Sequence, residues 1–215
     1  MSIYTPDMEY FEDIKYQEFL LTSKRKAICP PEKIFQEIRY RWKDAKNIVD
    51  FGMGLGFFTP FIRQRMHKDA WLWGVECQQD LIDLILKKKV DQNITNFSAV
   101  FLEKTEHPLL PQWIPHPDLI FASLSLSTFA NPGLAMDGLV RSMNDGGTLV
   151  IIDWAKTDHP SGPQLKDKVS AEKMKYLAEL YDLEVVNYFS ITEFFYGLEV
   201  KPSPDFKFKF YDYRD

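Results

Sequence analysis

The sequence reads as a doubly wound α/β protein. It predicts a mostly parallel sheet of seven strands ending in a C-terminal antiparallel hairpin, with a helical extension at the N-terminus. Three observations carry this. Five short apolar runs begin at residues 47, 71, 98, 118 and 148, 20 to 30 residues apart; such gaps suit parallel strands joined by crossovers and are too long for hairpins. The runs lack polar alternation, as expected of strands covered on both faces. Helical periodicities lie between them.

Taken in order, the first 45 residues form the extension. Asp7 to Leu21 has a helical pattern, and Pro30-Pro31 marks a second helix start, because proline is tolerated in a first turn. Ile34, Phe35 and Ile38 give that second helix an apolar face. The division is therefore 1–45, an extension packed on the sheet with a lid as one of its uses, and 46–215, the sheet domain. Within the latter, the strands are Asn47 to Phe51, Trp71 to Cys77, Ser98 to Leu102, Asp118 to Phe121 and Thr148 to Asp153. Leu81, Ile82, Ile85 and Leu86 form one helical stripe, closed by Lys87-Lys88-Lys89, which favour the negative end of a helix dipole. Met136, Leu139, Val140 and Met143 form another, which Asp145-Gly146-Gly147 terminates. A turn-rich loop from Asp153 to Pro163 leads to a helix capped by Ser170. The runs Leu183 to Ile191 and Phe195 to Lys201 then lie close enough for a hairpin.

Composition bounds the function. At 215 residues and 45% apolar content the chain is ample for one core and short for two. A net charge of −5 argues against a nucleic-acid backbone partner. Two cysteines, Cys29 and Cys77, make no disulfide scaffold and no CxxC zinc pair. The four histidines do not cluster and no metal site is expected. The polar, acidic stretch from Met1 to Glu12 has no signal core, and no run approaches 18 apolar residues. The expectation is a cytoplasmic protein with a small-molecule partner. Its oligomeric state is left open, a homodimer included.

The most informative segment is Asp50-Phe-Gly-Met-Gly-Leu-Gly56. It follows a strand and opens a helix, and its glycines permit a positive φ and close approach of a ligand to the backbone. The dinucleotide fingerprint is G-x-G-x-x-G; here Gly52, Gly54 and Gly56 alternate and Phe57 stands where the third fingerprint glycine belongs. A nucleoside without a pyrophosphate fits better. Glu76, 20 residues beyond Gly56 at the end of the second strand, is placed to accept hydrogen bonds from ribose hydroxyls.

These residues resemble motif I and the acidic strand-two end of class I S-adenosylmethionine-dependent methyltransferases, a Rossmann-like family. The ubiquinone/menaquinone-biosynthesis type is the nearest in pattern. Phe57-Phe58-Thr59, Thr105 to Pro111, Asp118 to Phe121, Gly147 to Trp154, Ser161-Gly-Pro163 and Tyr196-Gly197 extend the likeness, and Arg25 with Pro30 to Lys33 matches an N-terminal lead-in segment. The resemblance implies S-adenosyl-L-methionine as cofactor. By it, Asp50, Gly52, Gly54 and Gly56 belong to the cofactor loop and Glu76 holds the ribose. Cys77 and Gln78 flank the adenosine, Glu103 or Thr105 lies near the adenine, and Ser123 serves the methionine amino group.

Methyl transfer is an in-line displacement with a neutral leaving group. Orientation and proximity, worth roughly 7–11 kcal/mol, are its main demands, and a base is needed only where the nucleophile must lose a proton. Proteins of this pattern often carry His-Glu after strand four; here the positions read Ser127-Thr128, and a hydroxyl is a weak base. Ser127 and Asp153 are the catalytic candidates. Asp153 either takes a proton, holds a substrate hydroxyl, or caps the loop before Trp154. Phe129, Trp154 and Tyr196 are the expected aromatic lining. Asn131-Pro132 lies too far past strand four for the Asn-Pro motif of amino-group methylases. Three readings follow: a small-molecule methyltransferase, a non-catalytic binder of the same cofactor, and a nicotinamide-dependent oxidoreductase, which Phe57 disfavours.

Overall fold

The structure, a computed structural model, describes residues 23–91, 94–159 and 162–206; the helix expected over Asp7 to Leu21 lies outside them. Helices α1 (Ser23–Ile28) and α2 (Pro31–Glu37) lead into β1 (Asn47–Phe51). Then come α3 (Thr59–Arg65), β2 (Trp71–Glu76), α4 (Gln79–Asp91), β3 (Phe97–Phe101) and β4 (Leu119–Ser123). After them come α5 (Pro132–Arg141), β5 (Thr148–Trp154), α6 (Ala171–Leu180), β6 (Leu183–Thr192) and β7 (Phe195–Pro202).

The seven strands form one sheet in the order β3-β2-β1-β4-β5-β7-β6. The first five are parallel, and β7 runs antiparallel between β5 and β6. The chain first builds outward from β1 through β2 to β3, then returns to β4 on the other side of β1. A crevice opens at such a reversal, beyond the carboxyl ends of the strands.

Strand alternation sends side chains to two cores. One face of the sheet buries Val49, Ile120, Leu149 and Ile151 against Ala135, Met136 and Leu139 of α5 and Met174 and Ala178 of α6. The other buries Ile48, Leu72, Phe121 and Ile152 against Ile34 and Phe35 of α2, Ile62 of α3, and Ile82 and Ile85 of α4. Each such large side chain stabilises the fold by roughly 1.5–3 kcal/mol through burial. Phe121 stacks on Phe35 at 5.5 Å and meets Phe58 edge-on at 5.2 Å, so residues 31–37 are built into this second core.

A buried carboxylate fastens that N-terminal segment to the far strands. Glu199 of β7 accepts from the Arg39 and Tyr40 backbone N–H groups at 2.5 and 3.0 Å and from Asn187 Nδ2 at 2.7 Å. Asn187 Nδ2 also donates to the Glu37 carbonyl at 3.0 Å. Lys33 reaches the Ile191 carbonyl. Glu199 thereby fastens the end of α2 and the residues after it to the sheet.

Local signals read from sequence recur in the coordinates. Pro31 opens α2. Asn131, not marked as a cap in the sequence, also caps α5, its side chain accepting from Gly133 and Leu134 N–H. Ser170 caps α6 by accepting from Lys173 N–H. One helix ends earlier than its apolar stripe suggests. α5 stops at Arg141, and Ser142 and Met143 bond three residues back instead of four. The Ser142 hydroxyl donates to the Gly138 carbonyl and accepts from Leu110 N–H, the kind of local bond by which serine competes with helix propagation.

Candidate functional site

β1 ends on Phe51, and the next turn holds three glycines in the left-handed region: Gly52 (φ +67), Gly54 (+53) and Gly56 (+77). A Cβ at Gly52 would stand 2.7 Å from the Ser125 Cβ, so the loop after β4 packs directly on this turn and a side chain is excluded by space as well as by φ. Gly52 and Met53 N–H both donate to the Val75 carbonyl, tying the turn to β2.

Glu76, the last residue of β2 and only 6% exposed, meets that turn. Its Oε2 accepts from Gly54 N–H at 2.9 Å; its Oε1 accepts from Cys77 and Gln78 N–H at 2.8 and 3.2 Å. A carboxylate has about four acceptor positions, so Oε2 retains one. The side chain is thus held rigidly by backbone donors with an oxygen still free for a ligand hydroxyl.

These residues line one cleft at the carboxyl ends of β1 to β4. Its volume is about 140 Å³. One buried water needs ~10–15 Å³ on this scale, so the cleft has room for far more than a single water. Asp50, Gly52, Gly54, Glu76, Cys77, Gln78, Glu103 and Ser123 all line it, as does Phe129. Gly56 supports the turn from behind, its Cβ position 3.0 Å from Thr59 Oγ1 and 3.3 Å from Ile85. The Ser123 hydroxyl is buried in the cleft wall with no hydrogen-bond partner among the described residues, the kind of group a ligand satisfies.

The polar groups differ in electrostatics. Asp50 is buried and accepts from the Thr59 hydroxyl at 3.1 Å. Burial pushes its carboxyl up to about 7, Thr59 pulls the other way, and nearby Glu76 raises it further. Burial, then Glu76, pushes the Cys77 thiol up to about 11; it stays neutral at physiological pH and is no nucleophile there.

Several residues expected at the site lie elsewhere. Thr105 is exposed and is not part of the cleft wall. Trp154 packs on Phe195 at 4.2 Å, beneath the Lys168 ammonium at 4.8 Å, and Tyr196 is buried with its hydroxyl donating to the Val169 carbonyl. Neither lines the cleft, because β5 and β7 stand beyond β4 and not beside the β1/β4 crevice. Ser127 and Asp153 bond to each other behind the wall: Ser127 N–H to Asp153 Oδ2 at 3.0 Å and Ser127 Oγ to Asp153 Oδ1 at 2.8 Å.

Two cations enter the cleft that no motif assigned to it. Lys104, after β3, donates to the Thr128 carbonyl at 3.1 Å and lies 5.1 Å from the Phe129 ring centre. Arg25 of α1 is buried over the Phe57 ring at 4.6 Å. Arg25 was visible in sequence only as part of the lead-in segment; for Lys104 there was no signal, since only folding brings residues 104 and 128 together.

The helix after the glycine turn bears on ligand class. α3 has seven residues and carries Pro60 in its first turn, while Phe61 N–H is already bonded to the Phe58 carbonyl. That leaves few free donors for a pyrophosphate. Among the described residues there is no group of three or more His, Cys, Asp or Glu placed to hold a metal, and no helix long and apolar enough to cross a membrane.

Comparison with known proteins adds the following. Residues 22–194 match the family model described as "Methyltransferase domain". A SAM-dependent methyltransferase from Aquifex aeolicus has a similar structure, with a TM-score of 0.75 and 20% identity over 87% of this chain and 97% of that one. The O-methyltransferase NcsB1 from neocarzinostatin biosynthesis, crystallised with S-adenosylmethionine and 2-hydroxy-5-methyl naphthoic acid, has a TM-score of 0.68 and 14% identity, covering 90% of this chain and 60% of its own. The [4+2]-cyclase SpnF has a TM-score of 0.65 and 12% identity, covering 80% of each chain. No curated protein sequence gave a match. At these identities the structural likeness is one of fold.

Proposed function

The chain belongs to the methyltransferase-domain family, and we propose that it transfers a methyl group from S-adenosyl-L-methionine to a small, apolar or aromatic molecule. The observation that supports this most is the Gly54 N–H bond to Glu76. It joins a turn of three left-handed glycines to a carboxylate with acceptor capacity to spare, at the strand reversal where ligands of such sheets bind. A [4+2]-cyclase shares the fold, so fold alone does not fix the chemistry.

When bound, S-adenosylmethionine supplies a methyl group activated on a sulfonium. The residues do the rest. Glu76 accepts from ribose hydroxyls, the glycine turn admits the ligand against the backbone, and Cys77, Gln78 and Glu103 border the adenosine. Ser123 offers its unsatisfied hydroxyl. Asp50 is the buried acid for the ligand's ammonium and Arg25 the cation for its carboxylate. Phe51 and Phe129, stacked at 6.3 Å, give the cleft an apolar wall. Among the described residues the wall contains no histidine; methyl transfer there rests mainly on orientation and proximity.

A titration tests the reading. Micromolar binding of S-adenosylhomocysteine with none of NAD is expected; the reverse would exclude it. Labelled methyl appearing on a compound from a metabolite extract separates the enzyme from a non-catalytic binder, which would hold the cofactor firmly and turn over nothing.

Asp50 gives the titration a pH signature. Its folded-state pKa of about 7 lies above the ordinary carboxyl value of 3.8. Between these values the folded chain holds a proton that the unfolded chain has lost, so this group's contribution to stability falls as pH rises through about 7. The ammonium group of the ligand favours the ionised form. Affinity for S-adenosylhomocysteine is therefore expected to rise with pH through about 7, and binding below that pH to release a proton. Calorimetry in two buffers of different ionisation enthalpy measures the release. Asp50→Asn should flatten both effects; an unchanged pH profile in that variant would remove Asp50 from the site.

A further inference from the structure

Asp153, the last residue but one of β5, is fully buried and closes three hydrogen bonds. Besides the two from Ser127, its Oδ1 accepts from Trp154 N–H at 2.8 Å. Neither Asp153 nor Ser127 lines the cleft, but the residues flanking Ser127 do: Ser125, Thr128 and Phe129 form part of its wall. Ser127 is the centre of the single helical turn Leu126–Thr128 that follows β4.

The path into that turn is strained. Leu124 has φ +56, a left-handed conformation that a branched side chain keeps only where its surroundings over-determine it. Leu124 N–H donates to the Ile152 carbonyl at 2.8 Å, and the Ser125 hydroxyl donates to the Phe51 carbonyl at 3.3 Å. These fix one end of the turn. Asp153 fixes the other. Between them stands Ser125, against the face of Gly52 that has no room for a Cβ, so a displaced turn presses on the glycine loop.

We propose that Asp153 is a positioning residue for methyl transfer, clamping the turn after β4 so that Ser125 stays against Gly52 and Thr128 and Phe129 stay in the cleft wall. The role rests on the methyltransferase reading above; the clamp itself does not.

The clamp needs the ionised acid. Both carboxylate oxygens then accept; a proton on Oδ2 would set one donor against another at Ser127 N–H. Burial pushes the Asp153 carboxyl up to about 6, against the opposing pull of Ser127 and Trp154. The clamp is thus closed above about pH 6 and loosens below it. The titratable group facing it is Tyr196, its register partner on β7, whose hydroxyl is pushed far up, first by burial and then by Asp153, and stays neutral throughout. From the turn after β4 comes Ser127, which does not titrate in this range.

Amide exchange at Ser127 by NMR on the full chain, corrected for intrinsic pH dependence, reads the clamp; S-adenosylhomocysteine affinity reads its consequence. In the parent protein, Ser127 exchange should quicken as pH falls, with a midpoint near 6. Asp153→Asn should exchange at least tenfold faster at pH 7.5 and lose that midpoint. Its β4 and β5 amides should stay protected while the dissociation constant rises about tenfold. Ser127→Ala, which keeps the N–H bond but loses the hydroxyl that pulls the Asp153 carboxyl down, should show a midpoint shifted above 6 and weaken binding about threefold. Unchanged exchange in Asp153→Asn, or a loosened turn with undiminished affinity, would overturn the proposal. Should Asp153→Asn lose protection across the sheet, Ser127→Ala decides: a missing midpoint or parental affinity counts against the clamp. A parent protein that shows the exchange midpoint but binds no S-adenosylhomocysteine would instead sink the methyltransferase reading.

Discussion

Replacing Glu76 with alanine will weaken S-adenosylhomocysteine binding by about 100-fold or more. Each hydrogen bond between a ligand hydroxyl and a carboxylate contributes roughly 1.5–3 kcal/mol, and each 1.4 kcal/mol is tenfold in affinity. The variant loses more than an acceptor. Gly54 N–H, Cys77 N–H and Gln78 N–H all converge on this one side chain, so its removal also frees the glycine turn from the end of β2. Fold stability should fall little, because those three donors border the cleft and water replaces the carboxylate. Glu76→Gln keeps one acceptor oxygen and should lose about tenfold. Calorimetric titration beside a melting curve checks both; an alanine variant that binds as the parent does would refute the ribose assignment.

Glu199→Ala should be the most destabilising of the substitutions considered, by about 2–4 kcal/mol. The carboxylate is buried and its donors come from two stretches of chain: Arg39 and Tyr40 N–H ahead of β1, and Asn187 on β6, which also donates to the Glu37 carbonyl at the end of α2. Truncation leaves the part-buried Arg39 and Tyr40 N–H groups without this acceptor and Asn187 Nδ2 with the Glu37 carbonyl alone, and a donor left unsatisfied away from water costs more than its bond contributes. Glu199→Gln preserves the shape and one acceptor and should lose about half as much. Urea unfolding measures the difference. Amide exchange should localise it to residues 31–40, since that is where the staple holds. A loss below about 1 kcal/mol for alanine would show that the packing of Ile34 and Phe35 alone seats the N-terminal segment.

How much of this could be read in the sequence depends on how far apart the interacting residues are. The glycine turn was legible because its geometry is local: three glycines alternate over five positions and each adopts a positive φ. Glu76 was legible because one crossover separates it from that turn, and crossover lengths are regular. The helix cap at Ser170 was legible for the same reason, its partner lying three residues away. The Asp153 and Ser127 pairing was not, being a contact across 26 residues and two strands. Alternation says that Asp153 and Trp154 point to opposite faces, but not which strand stands beside the cleft. Trp154 and Tyr196 were expected there and lie elsewhere because β4 separates their strands from the reversal.

Residue order alone therefore sets the elements, their alternation and the glycine turn, since each rests on backbone sterics and short-range periodicity. Strand order, the entry of Arg25 and Lys104 into the cleft, the Glu199 staple and the clamp behind the wall emerge when the chain closes. Each joins groups that have no reason to meet until the burial of two apolar sheet faces has fixed their neighbours.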